Sequence, residues 1–462
     1  MKNLVAALFL CCVLTLAQSH PAVAIHNAKI VTVSGSVINK GTVVVRNGLI
    51  EAVGENVAVP PDAMLVEGEG LTVYPGLIDA LSTWGQPGAA PAAAAATSGR
   101  GGRGTTTATP TTTATAATQA AASPARGPED RPQTTSWVKI ADEVSSTDRR
   151  IESARGAGFT TAVTFPTRGI FAGQGAVIDL LTAEKSGEMI VASPVGQYIS
   201  IGRGGGGGMG RSFPGSLMGY IAYVRQIYLD AEHYKLVKDA YAKNPVGMAR
   251  PEYDRALEGV LDSPRILLPA NRLVEIDRML HLAADLKQPV IIYGGRETFR
   301  PEAAALLKKF NAPILLSMKW PEASRDADPE EPDSMRTLDT RDRAALAPAV
   351  LQKAGVKFAF YSDGLDAARD LQRAIKKALD NGLSREDALR ALTLSPAEIY
   401  GVANRLGSIE VGKIANLVVT RGDIFDDRTK VEMTLVDGRK YVPAPEASPF
   451  GGRGATTDPG VK

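Results

Sequence analysis

Only four histidines and two cysteines occur in 462 residues, which narrows the metal and nucleophile chemistry open to this chain. Lys2, the apolar run from Leu4 to Ala17 and the small-residue site Ala22-Val23-Ala24 read as a secretory signal peptide over residues 1–24. Both cysteines, Cys11 and Cys12, fall inside it, so the mature chain has no disulfide, thiolate nucleophile or Cys metal ligand. A lipid anchor on either cysteine is the rival reading, but the preceding residues are bulky rather than small. His26 leads into a strand, while His233 and His281 lie in the helical patterns LDAEHYKLV and DRMLHLAADL. Nothing spaces them as ligands, and no metal site is predicted.

Three other runs carry motif-like residues. GRGGGGGMGRSFPG (202–215) contains G-x-G-x-x-G matches, but its glycine excess and the lack of a strand-to-helix setting make it a loop. GSIEVGKI (407–414) resembles a phosphate loop, yet it ends in Ile414 and precedes a strand. The acidic stretch 321–342 offers oxygen ligands for a cation but lacks the glycine of a calcium loop and is interspersed with arginines, so it reads as a solvated loop.

The elements that would position a site have legible patterns. Alternating runs before residue 75 and after 414 read as strands, with Asn47-Gly48 and Asp437-Gly438 as hairpin turns, and the two ends of the chain could share one sheet. Between them, eight apolar runs alternate with helix-periodic segments: GLIDA (76–80), FTTAVTF (159–165), AVIDLL (176–181), MIVAS (189–193), RILLP (265–269), PVIIY (289–293), PILLS (313–317) and KFAFYS (357–362). Eight such runs predict an α/β fold, a (β/α)8 TIM barrel. Ser384 and Asp387 form a capping-box pattern, and Ser395 is placed to cap a short helix. In such a barrel Asn271, Arg272, Tyr293, Arg296 and Glu297 follow strand ends at the mouth, where they would meet a small-molecule ligand. Arg272 and Glu297 could equally pair with each other or cap helices.

TVYPGLIDA after a β unit, together with ALRALTLSPAEIYGVANRLGSIEVGKIANLVV near the end, resembles the amidohydrolase superfamily. The stretch from Ala270 to Ser317 is most similar to its imidazolonepropionase- and dipeptidase-like branch. The resemblance implies a (β/α)8 barrel interrupting a β-sandwich built from both chain ends, and hydrolysis of cyclic or non-peptide C–N bonds. Its chemistry would come from zinc or another divalent metal, held by an H-x-H pair after strand 1, histidines ending strands 5 and 6, and an Asp ending strand 8. On this sequence those positions fall on Leu81 and Thr83, on or near Pro269, on Tyr293 or Gly294, and on Asp363. Only Asp363 matches, as the one catalytic candidate. Losing the metal forfeits roughly 8 to 9 pKa units on the bound water, about 12 kcal/mol. General-base assistance by one carboxylate returns about 10² to 10⁴-fold.

Composition sets the outer limits. Lys+Arg of 52 against Asp+Glu of 50 gives a net charge of +2, which offers no face for a nucleic-acid backbone. The 44% apolar and 22% charged residues are ordinary globular values. The predicted organisation is a signal peptide (1–24), a composite β-sandwich (25–75 plus 405–445), a barrel (76–404) holding a disordered insertion (86–128), and a flexible tail (446–462). Export to the periplasm or the extracellular space follows from the leader, with no membrane contact after its removal. Three functions fit: an exported ligand-binding pseudoenzyme or non-catalytic partner in a hetero-oligomer with an active homologue, a working hydrolase using Asp363 with a non-standard or metal-free site, and a surface-interaction protein.

Overall fold

The computed structural model describes residues 22–86, 131–201, 214–323, 332–426 and 429–443. The leader up to residue 21, the 86–128 insertion beyond Gln86, most of the glycine-rich loop, part of the acidic stretch and the tail from 446 lie outside the described residues. The fold is α/β, with three mixed or antiparallel-edged sheets.

Both chain ends enter one sheet. Thr72–Pro75 pairs with Leu417–Thr420 in antiparallel register, Tyr74 opposite Val418, so eight strands from residues 23–75 and 417–441 form a continuous sheet. One face buries Ile25, Val43, Val45, Val73, Leu417 and Leu435 in a core of its own, while Val418 and Val436 point the other way into the main core. That alternation is what period-2 strands buried on both faces require. Asn47 and Gly48 have φ of 51° and 79°, Asp437 and Gly438 φ of 49° and 73°, the doubly left-handed signature of a type I′ turn. The strand Val23–Ile30 takes in Val23 and Ala24, which are buried opposite Val45 and Val44. A boundary after Ala24 therefore lies within a hydrogen-bonded strand, and the sheet begins ahead of the predicted residue 25.

The central runs divide into two sheets. Gln197–Ile199, Ile266–Ala270, Val290–Gly294, Ile314–Ser317 and Phe358–Tyr361 are parallel neighbours, edged by the antiparallel Phe171–Gln174. Leu77–Ser82 and Phe159–Thr164 are parallel, but Ala176–Asp179 pairs antiparallel with Phe159–Thr164, and Ile190–Ala192 pairs antiparallel with Ala176–Asp179. The runs at 176–181 and 189–193 are thus strands without being βα repeats, and two short strands, Phe171–Gln174 and Gln197–Ile199, escaped the pattern. The physical reason is chain length: a parallel crossover takes about a dozen residues or more, and the gaps after 165 and after 181 are shorter. Ser384 accepts a hydrogen bond from the Asp387 amide as expected, whereas Thr393 rather than Ser395 holds the cap position of Leu394–Tyr400.

The two sheets share one core. Ile78, Val163, Val177 and Val191 from the first meet Tyr198, Leu267, Ile291, Leu315 and Ala359 from the second, and their opposite faces pack helices such as Leu273–Asp285, which buries Ile276, Met279, Leu280 and Ala283. Where Leu77–Ser82 faces Phe358–Tyr361, the fully buried Asp79 carboxylate accepts from the Ser362 amide at 3.0 Å and the Ser362 hydroxyl at 2.5 Å. A second buried acid, Asp179, accepts from Asn416 at 2.6 Å and Thr161 at 3.1 Å, fastening the composite sheet to the rest.

Burial pushes the Asp79 carboxyl up from 3.8 to about 7, against its hydrogen bonds to Ser362 and Leu81. Between about pH 4 and 7 the folded chain therefore holds a proton that the unfolded chain has lost, so stability falls as pH rises through this window and levels off above it. Asp179 acts with the same sign. Asp79→Asn should flatten the part of this slope that belongs to Asp79 in urea-unfolding series at pH 4.5 to 8, and an unchanged slope would contradict the assignment.

Candidate functional site

Asp363 follows the strand Phe358–Tyr361 in a tight turn with φ of 53°, a left-handed conformation that Asp and Asn adopt more readily than other side-chain-bearing residues. It is 4% exposed. One carboxylate oxygen, Oδ2, accepts from the Ser317 hydroxyl at 2.6 Å, while Oδ1 is buried with no partner among the described residues. Burial raises its pKa above the ordinary carboxylate value, opposed by Ser317 and by the charges of Arg296 and Lys319. The adjacent Ser362 is locked to Asp79, so Asp363 is held from both sides of its own peptide: through Ser362 to strand Leu77–Ser82, and through Ser317 to strand Ile314–Ser317.

Aromatic side chains crowd the same corner. Tyr198 and Tyr293 stack with centroids 5.1 Å apart at 25°, and the Tyr293 hydroxyl donates to the Ile199 carbonyl at 3.1 Å. Burial pushes the Tyr198 hydroxyl up to about 12 and those of Tyr293 and Tyr361 well above their ordinary value, with the Asp363 charge adding to the effect. These phenols stay neutral at any physiological pH, so they serve as packing and hydrogen-bond groups and supply no phenolate base or ligand.

The positions that the resemblance implies for metal ligands can be followed one at a time. Leu81 is 2% exposed within the shared core. Thr83 accepts from Arg150 Nη1 at 3.0 Å through its hydroxyl, and Arg150 is itself anchored by Asp148 at 2.7 Å. Pro269 sits in strand Ile266–Ala270 opposite Tyr293. Gly294 has φ of 114°, and a Cβ there would lie 2.7 Å from the Asn271 carboxamide oxygen, so no side chain fits. His26 contacts the Thr42 hydroxyl in the composite sheet, and His233 and His281 are exposed on helices. Among the described residues no group of three or more His, Cys, Asp and Glu side chains could hold a metal ion. The side chains at the implied ligand positions together supply one carboxylate, that of Asp363, and no imidazole or thiolate.

Of the sequence-predicted residues, Asn271, Arg272, Arg296 and Glu297 line a groove of about 1210 Å³ at the strand ends. Asp363 lines a separate cavity of about 210 Å³ with Leu81, Thr83 and Arg150, while Tyr293 lines neither and stacks on Tyr198. Arg272 and Glu297 do not pair. Glu297 accepts from the Leu273 amide at 2.9 Å and takes a two-point contact from Arg336, 2.7 and 2.8 Å. Sequence reasoning missed the pairing of Asp79, whose only signal was an acid inside an apolar strand. It also missed Ser317 and Ser362, whose only signal was a polar residue at a strand end, and Lys319 and Arg373 of the groove.

Comparison with known proteins agrees with the architecture. The sequence pattern of the Amidohydrolase family matches residues 333–440, a span that includes Asp363. Adenine deaminase from Moorella thermoacetica (strain ATCC 39073 / JCM 9320) is 33% identical over 69 residues, 15% of this chain and 11% of the deaminase. The match thus spans about a tenth of that relative's length. An amidohydrolase from Thermotoga maritima MSB8 superposes with a TM-score of 0.69 at 24% identity, covering 91% of this chain and 100% of that one. A prolidase complexed with N-methylphosphonate-L-proline superposes at 0.53 and 16% identity, covering 92% and 100%. At these identities the likeness to the solved structures is one of fold.

The left-handed turn makes a sharp prediction. Asp363→Asn should unfold within about 1 kcal/mol of the parent, because Asn tolerates φ above zero and can still accept from Ser317, while Asp363→Val should cost about 2 kcal/mol or more. Equal urea midpoints for the two variants would show that the turn carries no such constraint.

Proposed function

We propose that this chain is a member of the amidohydrolase superfamily, that its two central sheets form one irregular (β/α)8 barrel, and that the barrel binds a small molecule without the family's metal centre. The observation that carries this reading is the set of residues at the ligand positions: Leu81, Thr83, Pro269 and Tyr293 or Gly294, with Asp363 left as the one acid. Seam closure at Asp79 and Ser362 supports the barrel, and the core shared by both sheets is what a filled barrel interior requires. Export through the 1–24 leader, and pairing with a homologue that keeps its histidines, belong to the same proposal. Among the described residues no helix is long and apolar enough to cross a membrane.

A second reading, hydrolysis of C–N bonds without the family metal, draws on one specific observation. The partnerless Asp363 Oδ1 carries a raised pKa beside a cavity, the placement of a carboxylate that could accept a proton from water or substrate. The two readings separate in one assay. The full chain should show no turnover of a cyclic-amide and dipeptide panel above an Asp363→Asn control, with or without added zinc or manganese. Metal-independent turnover that Asp363→Asn lowers 10²-fold or more would establish the second reading, and turnover that depends on the added metal would overturn both.

A further inference from the structure

The 1210 Å³ groove is lined by seven cationic side chains and four acidic ones, and half of those acids are already engaged within the protein. Glu297 is held by Arg336 and the Leu273 amide. Glu275 accepts from the Asn271 and Arg272 amides at 2.9 and 3.1 Å. Arg341 pairs with Asp333. Arg272, Arg296, Lys319, Arg373 and Lys377 make no close ion pair among the described residues, although Arg296 and Lys319 interact at longer range with the Asp363 carboxylate, and they are opposed in the lining by Glu322 and Asp370.

Their origins make this more than a charged surface. Arg272 and Arg296 follow the strands Ile266–Ala270 and Val290–Gly294, Lys319 follows Ile314–Ser317, and Arg373 and Lys377 lie one helical turn apart on Ala367–Asp380. Among the described residues, separate elements thus bring an excess of like charges to the walls of one concavity, a repulsion that a bound anion would relieve. Its volume is of the size that admits a small organic ligand rather than a lone ion.

We propose that this groove binds a small molecule carrying two or more anionic oxygen groups, carboxylates or phosphates. The inference rests on the strand ends being a ligand-binding face, and adds the charge of the ligand. It is indifferent to whether Asp363 performs catalysis, since Asp363 lines the neighbouring cavity.

Titration calorimetry of the full chain with glutarate, inorganic pyrophosphate and neutral glutaramide tests it. The expected result is saturable binding of at least one anion, none of glutaramide, and weakening of tenfold or more in Arg373→Glu/Lys377→Glu and in raised salt. Binding of glutarate alone assigns carboxylates, and of pyrophosphate alone phosphates. Should the charge reversal fail to fold, Arg373→Gln/Lys377→Gln is expected to weaken binding about threefold or more. No binding of either anion, or anion binding that neither variant nor salt alters, overturns the proposal. Glutaramide binding as tightly as glutarate also overturns the anion assignment, while leaving the ligand-binding reading in place.

Discussion

A buried carboxylate with two hydrogen bonds, one of them short, joins the two central sheets where they meet. Asp79 takes the amide and hydroxyl of Ser362 across a gap with no strand-to-strand ladder between Leu77–Ser82 and Phe358–Tyr361. Its position is fully desolvated, so the charge is costly and the two donors only partly offset it, as the pKa of about 7 records. The consequence reaches the site directly. Ser362 immediately precedes Asp363, so the contact that joins the sheets also fixes the turn from which the candidate acid projects.

Around that turn the interior is built from aromatic packing. Tyr198, Tyr293 and Tyr361 fill the interior near Asp363, and each hydroxyl is held neutral by burial. An interior built this way gains apolar contact area and stacking, at the cost of the soft donors a transition metal needs. Charge is displaced outward instead, to the groove formed by Arg272, Arg296, Lys319, Arg373 and Lys377. Arg296 and Lys319 are also among the groups that lower the Asp363 pKa, which couples the two cavities electrostatically.

Much of this was legible in the sequence because it depends on local patterns. The hairpins at Asn47-Gly48 and Asp437-Gly438, the shared sheet of the two chain ends and the strands from Ile266 to Tyr361 follow from turn chemistry and apolar runs. The region 165–199 was misread because short antiparallel strands and buried parallel ones have the same apolar composition, and only the length of the connections separates them. Four of the mouth residues line the groove, since the residue after a strand end is fixed by topology. Tyr293 stacks on Tyr198, a residue on a strand that the pattern did not reveal. The role of Asp79 was out of reach, because its partner lies at position 362 and no local spacing announces a contact of that range.

We propose that this chain works without the metal that its resemblance to the amidohydrolase superfamily implies. Elemental mass spectrometry on the full-length protein, purified without chelators and without a histidine tag, tests it most directly. Well below about 0.1 equivalents of zinc, manganese, iron or nickel per chain is expected, because the described residues hold no group of three or more His, Cys, Asp and Glu side chains to retain them. About one or two equivalents that survive dialysis would contradict it.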